Sequence, residues 1–361
     1  MSDYDKRIAA GLQEVYEKHA GSGVFDVEKD RWIIFSDHHR GRRDGADDFS
    51  QCEKAYNAAL GYYDEKKYTL CVLGDSEELW ECAPKHVLKA YQHSLGLEAE
   101  FARDNRYLRF WGNHDSDWQR DRAVAKYLQP LYGNGLVVNQ ALRLTVRAAG
   151  DKLGEIFLLH GHQGTIDADR YSAISRLAVR YGWTVVQRIF RIKSTTPAQD
   201  FELRQQHNVA MYRWVETKRG MVLIAGHTHR PVFASRNAVD VLQHDLEVAR
   251  AGASADATLR ERVAQLRAEL EGAQVQEFGT RSGEKPINQS RPCYFNTGCC
   301  SFSDGDVTGL ELVDGAIRLV RWPDNSHELR PQVLASMDLR AAFETTSAAA
   351  PKPAVPEAQP H

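Results

Sequence analysis

The sequence contains no apolar run approaching the roughly 18 residues needed to cross a bilayer, which argues against a transmembrane helix. It also lacks an excess of either charge. Lysine and arginine number 46 against 49 acidic residues, for a formal net charge of -3. General nucleic-acid binding favours a basic face, so no specific nucleic-acid partner is expected. Cysteine is scarce. Its six positions are 52, 71, 82, 293, 299 and 300, with no Cys-x-x-Cys spacing. Cys299 and Cys300 are adjacent, a poor disulfide framework, and Cys71 lies in an apolar run where core packing accounts for it. A reduced, cytoplasmic protein is the expectation. The opening segment MSDYDKRIAAGLQEVYEKHA is charged and amphipathic, unlike a signal peptide. No internal repeat is visible.

What the chain does have is a succession of short apolar runs alternating with helical spacings. Its 361 residues, 42% of them hydrophobic, suffice for one large α/β domain with insertions. Ile8, Leu12, Val15 and Tyr16 predict a packing helix over 4–19. Strands are predicted at 31–36, 68–73, 106–111, 155–159 and 221–225, with helices at 50–65, 84–103 and near 119–128. Residues 136–138 and 141–148 read as an antiparallel pair. Strands are also expected at 232–235 and 292–296. Asp314-Gly315, between 310–313 and 317–321, is a hairpin signal. Strands alternating with helices predict a layered α/β fold. One domain is expected over 1–343, with a helical insertion at 163–220 and a helix-plus-loop insertion at 243–290. The Ala/Pro-rich stretch 344–361 is expected to be a disordered tail.

Five of the apolar runs end alike. Each stops, and ligand-type residues follow: Asp37 and His39, Asp75, Asn113 and His114, His160, then His227 and His229. Parallel strands would bring these ends to one edge of a sheet, where open α/β folds place ligands. If extended geometry continued past residue 225, His227 and His229 would point the same way. A mixed set of imidazoles, carboxylates and a carboxamide suits Mn²⁺, Fe²⁺, Zn²⁺ or a similar ion, and the lack of cysteine argues against a structural thiolate zinc site.

The ordered set Asp37-x-His39, Gly74-Asp75, Gly112-Asn113-His114-Asp115, His160-Gly161-His162 and Gly226-His227-Thr228-His229 resembles the calcineurin-like metallophosphoesterases. Within that family the chain is most similar to bacterial UDP-2,3-diacylglucosamine hydrolases. The segments carrying this narrower likeness are Gly74–Trp80, the helical stretch between His160 and Gly226, and Tyr294–Cys299. Those enzymes commonly carry His-Gly-Asp where this chain has His160-Gly161-His162, and the chain is longer through 243–290. The resemblance implies the family's layered fold, β-sheets flanked by helices, with a dinuclear metal site at strand carboxyl ends and a helical lid. Asp37, His39 and His229 would hold one ion, Asn113, His160 and His227 the other, and Asp75 both. The ions would be two divalent metals, Mn²⁺ foremost, with Fe²⁺, Zn²⁺ or Ni²⁺ as alternatives. A hydroxide activated by both would attack phosphorus. His114 would contact a phosphoryl oxygen or protonate the leaving oxygen, and Asp115 would orient His114. Arg40 and His162 would bind substrate, Arg40 by pairing with a phosphate.

The implied reaction is hydrolysis of a phosphodiester, pyrophosphate or phosphomonoester bond, with a UDP-linked lipid as the leading specific substrate. Alternatives are a cyclic-nucleotide or nucleic-acid phosphodiesterase, a phosphoprotein phosphatase, or a non-catalytic scaffold of the same fold. Bulky apolar and basic residues share the 163–220 segment, among them Trp183, Phe190, Arg188 and Arg191. They suggest a lid with an apolar groove and a basic rim, and peripheral contact with the inner membrane. Strand alternation turns His38 away from the site. His86, His93, His207 and His244 read as surface residues, and Glu77 and Glu78 read first as the start of a helix, otherwise as a cap on the site.

Overall fold

Every apolar run that ends in a candidate ligand is a strand in the computed structural model, which describes residues 2–44, 47–165, 197–237, 291–302, 304–324 and 329–348. In chain order the strands are β1 (Ala20–Asp26), β2 (Trp32–Phe35), β3 (Thr69–Leu73), β4 (Tyr107–Phe110), β5 (Val138–Asn139), β6 (Ala141–Ala148) and β7 (Asp151–Leu159). They continue with β8 (Met221–Ala225), β9 (Pro231–Phe233), β10 (Arg236–Asn237), β11 (Tyr294–Thr297), β12 (Val307–Val313), β13 (Ala316–Trp322) and β14 (Gln332–Asp338). They form two mixed sheets of seven strands each, ordered β1-β6-β7-β8-β11-β9-β10 and β14-β13-β12-β2-β3-β4-β5. Parallel pairing joins β2-β3-β4-β5 in one sheet, and β1-β6 and β7-β8-β11 in the other.

Alternation along these strands explains why the two sheets stack. Ile34 of β2, Cys71 and Leu73 of β3, Ile156 and Leu158 of β7, and Val222 and Ile224 of β8 share one buried cluster between the sheets. The residues between them face outward. Ile33, Phe35, Leu70 and Val72 pack under helices Glu53–Glu65 and Gln92–Arg103. Phe157, Leu159 and Leu223 pack under helices Asp3–Lys18 and Pro197–Glu216. Burial on both faces is why these strands read as unbroken apolar runs. Each such side chain contributes about 1.5–3 kcal/mol when fully buried. The structure is therefore mixed α/β, two sheets flanked by helices.

The five ligand-bearing strands do not share one sheet, as the sequence suggested. β2, β3 and β4 belong to one sheet and β7 and β8 to the other, so the candidate residues meet where two stacked sheets end together. The expected antiparallel pair at 136–148 also differs. β5 adds in parallel to β4, while β6 pairs antiparallel with β7 and parallel with β1. The helix expected at 84–103 is two, Pro84–Ala90 and Gln92–Arg103, meeting at Tyr91. The Asp314-Gly315 hairpin is present, with both residues at positive φ and Val313 paired with Ala316. β1 and β14 went unpredicted because neither carries a clean apolar alternation; β1 is glycine-rich and β14 is largely exposed. Residues 344–347, assigned to the tail, close a helix Leu339–Ser347 that buries Leu339, Ala342 and Phe343. Asp338 caps it by accepting from the Ala341 N–H. Residues 166–196 of the expected helical lid, Trp183 and Phe190 among them, the expected 243–290 insertion and the chain beyond 348 lie outside the described residues.

Candidate metal centre

The first two loops continue the β2–β3 pairing past the end of the sheet. The N–H groups of Asp37, His39 and Arg40 donate to the carbonyls of Gly74 (3.1 Å), Asp75 (3.0 Å) and Ser76 (3.1 Å). The backbone is not extended there. Asp37, His39, Asp75, His227 and His229 all have positive φ, between 48° and 71°. A non-glycine residue pays about 1–2 kcal/mol for that conformation, and such strain concentrates at functional sites. It also changes the expected geometry of the fifth loop. With both residues left-handed, His227 and His229 diverge where alternation would have aligned them.

The glycines of the motifs are there because the side chains crowd in. A Cβ on Gly74 (φ +89°) would lie 2.8 Å from the His160 ring. One on Gly112 would lie 2.7 Å from His160 Cδ2 and closer still to Asp75 Oδ1, and one on Gly226 would meet Asp37 Oδ2 at 2.5 Å.

Three overlapping groups result, each with its ligand atoms within 4.8 Å of one another: Asp37, His39 and His229; His39, Asp75 and His114; Asp75, His160 and His227. His229 Nε2 is 3.2 Å from Asp37 Oδ1 and 3.0 Å from His39 Nε2. Asp75 Oδ2 is 3.8 Å from His39 Nε2 and 3.0 Å from His160 Nε2. The loops are tied to one another as well, the first of these bonds crossing from one sheet to the other. The His227 N–H donates to Asp37 Oδ2 (2.9 Å), the His114 N–H to Asp75 Oδ1 (2.8 Å), and the Gly226 N–H to the His160 carbonyl (2.9 Å).

These buried His/Asp clusters could hold a metal ion, and the donor chemistry fits one. His160 Nδ1 lies 2.9 Å from the Leu73 carbonyl, which can only accept, so Nδ1 carries the proton. That leaves the Nε2 lone pair facing the Asp75 carboxylate, and Nε2 has no hydrogen-bond partner among the described residues. A cation is needed between these two acceptors: a proton on Nε2 when no metal is bound, or a metal ion that displaces it. Asn113 Oδ1, an acceptor, is likewise buried and unpartnered, while the Asn113 carbonyl accepts from the Trp80 indole at 2.8 Å. Burial alone would raise the Asp37 carboxyl and lower the His160 imidazole. The opposite charges win: His160 and His229 hold Asp37 well below the usual carboxylate range, and Asp75 and Asp37 push His160 up to about 9. His227, hemmed in by burial and by His207 and His160, stays neutral well below the ordinary histidine value.

His114 stands at the rim, its ring 4.6 Å from that of His39. Its orienting partner is not Asp115. Asp115 is fully buried and accepts the N–H groups of Gly112 (2.6 Å) and Ser76 (2.8 Å), so it shapes the loop backbones. Burial, with Asp75 and Glu77 nearby, pushes its carboxyl up to about 7. The imidazole of His114 is instead held by Glu78, whose Oε2 is 2.6 Å from His114 Nδ1 and 3.3 Å from His39 Nδ1. Glu78 does not begin a helix; it follows the isolated bridge between Arg40 and Glu77.

Arg40 is also corrected. It is fully buried, ion-paired with Glu98 and Glu77, and stacked over Phe49 and Tyr56, so it offers no charge to a substrate. Arg109, equally buried, pairs with Glu77 from the other side, and Trp118 donates to Glu77 Oε2 at 2.8 Å. His162 does approach the site. It is buried, its ring lies 5.5 Å from that of His160, and its Nδ1 is unpartnered among the described residues. His38 turns away as expected, although the backbone on either side of it is not extended, and its ring lies 4.6 Å from that of Tyr56. His207 is not a surface residue but is buried 5.1 Å from the His227 ring. Asn296 braces the fifth loop, donating to the Gly226 carbonyl at 2.6 Å. Glu78, weighed second as a cap on the site, had a sequence signal, three positions after Asp75. Glu98 and Arg109 had none, sitting in ordinary helix and strand patterns.

Set beside known proteins, the chain matches no protein-family model and no curated protein sequence. Among the described residues no helix is long and apolar enough to cross a membrane.

Proposed function

We propose that the chain is a metal-dependent phosphoesterase of the calcineurin-like metallophosphoesterase type, hydrolysing a phosphodiester or pyrophosphate bond. The observation that carries this reading is the place of Asp75. Its carboxylate lies between two groups of imidazoles, one including His39 and the other His160 and His227. Asp37, His39 and His229 would hold one divalent ion, Asn113, His160 and His227 a second, and Asp75 both. When bound, such ions neutralise phosphoryl oxygens and make water acidic enough to act as a nucleophile near neutral pH.

The remaining work falls to the chain's own groups. Glu78 engages His114 Nδ1, so Nε2 is the atom presented to a phosphoryl oxygen or to the leaving oxygen, which takes up a proton as its bond to phosphorus breaks. The Trp80 ring stacks on His114 with centroids 3.9 Å apart, fixing the plane of the imidazole. His162 would line the substrate side. The mixed N/O donor set suits Mn²⁺, Fe²⁺, Zn²⁺ or Ni²⁺ alike, and the family resemblance puts Mn²⁺ first. A UDP-linked lipid remains the leading specific substrate on the sequence likeness alone.

The test is a panel with purified protein and Mn²⁺: p-nitrophenyl phosphate, its bis ester, cyclic nucleotides and a UDP-linked lipid. Metal-dependent hydrolysis of the bis ester or the lipid is expected. Hydrolysis of none, in a sample shown to bind Mn²⁺, would leave a metal-binding scaffold.

A further inference from the structure

We propose that the N-terminal helix Asp3–Lys18 is a working part of the metal centre: Tyr4 and His207 are positioning residues that fix the Gly161 carbonyl, and with it the directions of His160 and His162. The inference rests on the reading of this site as a metal centre.

The geometry is a two-bond tether. His207 Nε2 is 2.7 Å from the Gly161 carbonyl, which only accepts, so Nε2 carries the proton. In the neutral ring Nδ1 is then the acceptor, and the Tyr4 hydroxyl donates to it at 2.8 Å. Gly161 sits at φ +115° between the two histidines, and its N–H is taken by Gln163 Oε1 at 3.2 Å. Both backbone polar groups of the residue linking His160 to His162 are thus held, one of them by His207 of helix Pro197–Glu216, which Tyr4 of the N-terminal helix holds in turn.

The helix also touches this loop backbone to backbone. A Cβ on Gly11 would lie 2.7 Å from the Gly164 nitrogen, and one on Gly164 (φ +78°) would lie 2.8 Å from Ile8 Cα. Close approach of this kind needs glycine on both sides. The helix itself is firmly seated. Ile8 and Leu12 are fully buried, Asp5 pairs with Arg213, and Gln13 accepts from Trp214 (3.2 Å) and Lys218 (2.6 Å). A shift of the helix would carry the His160–Thr165 loop with it. Groups that orient a ligand from behind typically affect metal affinity by about 10–100-fold.

The experiment compares the full chain with His207→Leu, His207→Gln and Tyr4→Phe. It measures Mn²⁺ binding by calorimetry and hydrogen exchange at residues 160–165. His207→Leu should weaken Mn²⁺ binding by about tenfold. His207→Gln, whose amide can still donate to Gly161, should stay within about twofold of the unsubstituted chain. Tyr4→Phe removes one hydroxyl from a helix that remains packed, so it should speed exchange at 160–165 with an unchanged melting temperature. Unchanged affinity and exchange in all three variants would overturn the tether while leaving the metal centre intact. Absence of Mn²⁺ binding by the unsubstituted chain would instead remove the metal reading, and the proposal with it. If His207→Leu fails to fold, Tyr4→Phe decides the matter.

Discussion

Glu78 Oε2 lies 2.6 Å from His114 Nδ1 at the ring edge, and the Trp80 ring stacks on a face of the same imidazole, with centroids 3.9 Å apart. The rim histidine is therefore clamped by a carboxylate and an indole from the second loop. Replacing Glu78 by Gln keeps the shape but removes the charge that orients and polarises the ring. The expected result is a fall in kcat of about 10–100-fold on bis-p-nitrophenyl phosphate, with KM little changed. Asp115→Asn should act differently, by loosening the Gly112 and Ser76 turns, and should be seen first as a lower melting temperature. If Asp115→Asn abolished turnover in a fully stable protein while Glu78→Gln did not, the roles assigned to the two carboxyls would be exchanged.

Arg40 sits with Glu98, Glu77 and Arg109 in a fully buried group of two cations and two anions. Removing one member leaves a charge without its partner in a low-dielectric interior, a loss of about 3–5 kcal/mol. Arg40→Ala should therefore shift the urea midpoint strongly. A variant of normal stability with a raised KM for phosphate esters would restore the substrate-binding role that its place after His39 first suggested.

Glu98 gives that group a pH signature. Burial alone would raise its carboxyl, but Arg40 and Arg109 outweigh it and bring the carboxyl down to about 2, from an ordinary 4.5. A folded-state value below the unfolded one means that the carboxylate stabilises the fold above pH 4.5. That stability is lost as the pH falls from 4.5 through about 2. The loss is on the order of 3 kcal/mol. Urea melts between pH 6 and 2 should show this decline, and Glu98→Gln should be less stable at pH 6 but flatter across the window. Equal slopes in the two proteins would mean that Glu98 is not the group responsible.

The ends of β2, β3, β7 and β8 were legible in the sequence because each combines an unbroken apolar run with a glycine or polar stop, and burial on both faces demands that pattern; β4, interrupted by Arg109, was legible from Tyr107, Leu108 and Phe110 and the stop at Gly112. The candidate ligands were legible for the same reason, since each lies just past such a stop. The division into two sheets was not, because an apolar run buried on both faces looks the same in either sheet. Arg40 was misplaced because adjacency to His39 in the chain says nothing of direction once His39 adopts positive φ. His207 depended on a contact 46 residues away, with Gly161, that no local pattern encodes, and Glu78, three positions after Asp75, showed its place but not its partner His114, 36 residues on.

The fifth loop offers the most discriminating measurement. His227 groups with Asp75 and His160, and His229 with Asp37 and His39, although one residue separates them in the chain. Positive φ at both positions makes that divergence possible. Under the two-ion reading, His227→Ala should lose mainly the ion held with His160, and His229→Ala mainly the ion held with His39. Metal content by mass spectrometry should then fall from about two toward one per chain in each variant. The two survivors would differ in kind, because the site kept by His227→Ala has two imidazoles and an unshared carboxylate, whereas the site kept by His229→Ala has two imidazoles and the Asn113 carboxamide. Substituting Mn²⁺ by Co²⁺ should accordingly give different absorption spectra for the two variants. Asp75→Ala, which removes the oxygen common to both groups, should lose both ions. Identical spectra and stoichiometry in His227→Ala and His229→Ala would mean that both imidazoles serve one ion, and the two-site division would have to be abandoned.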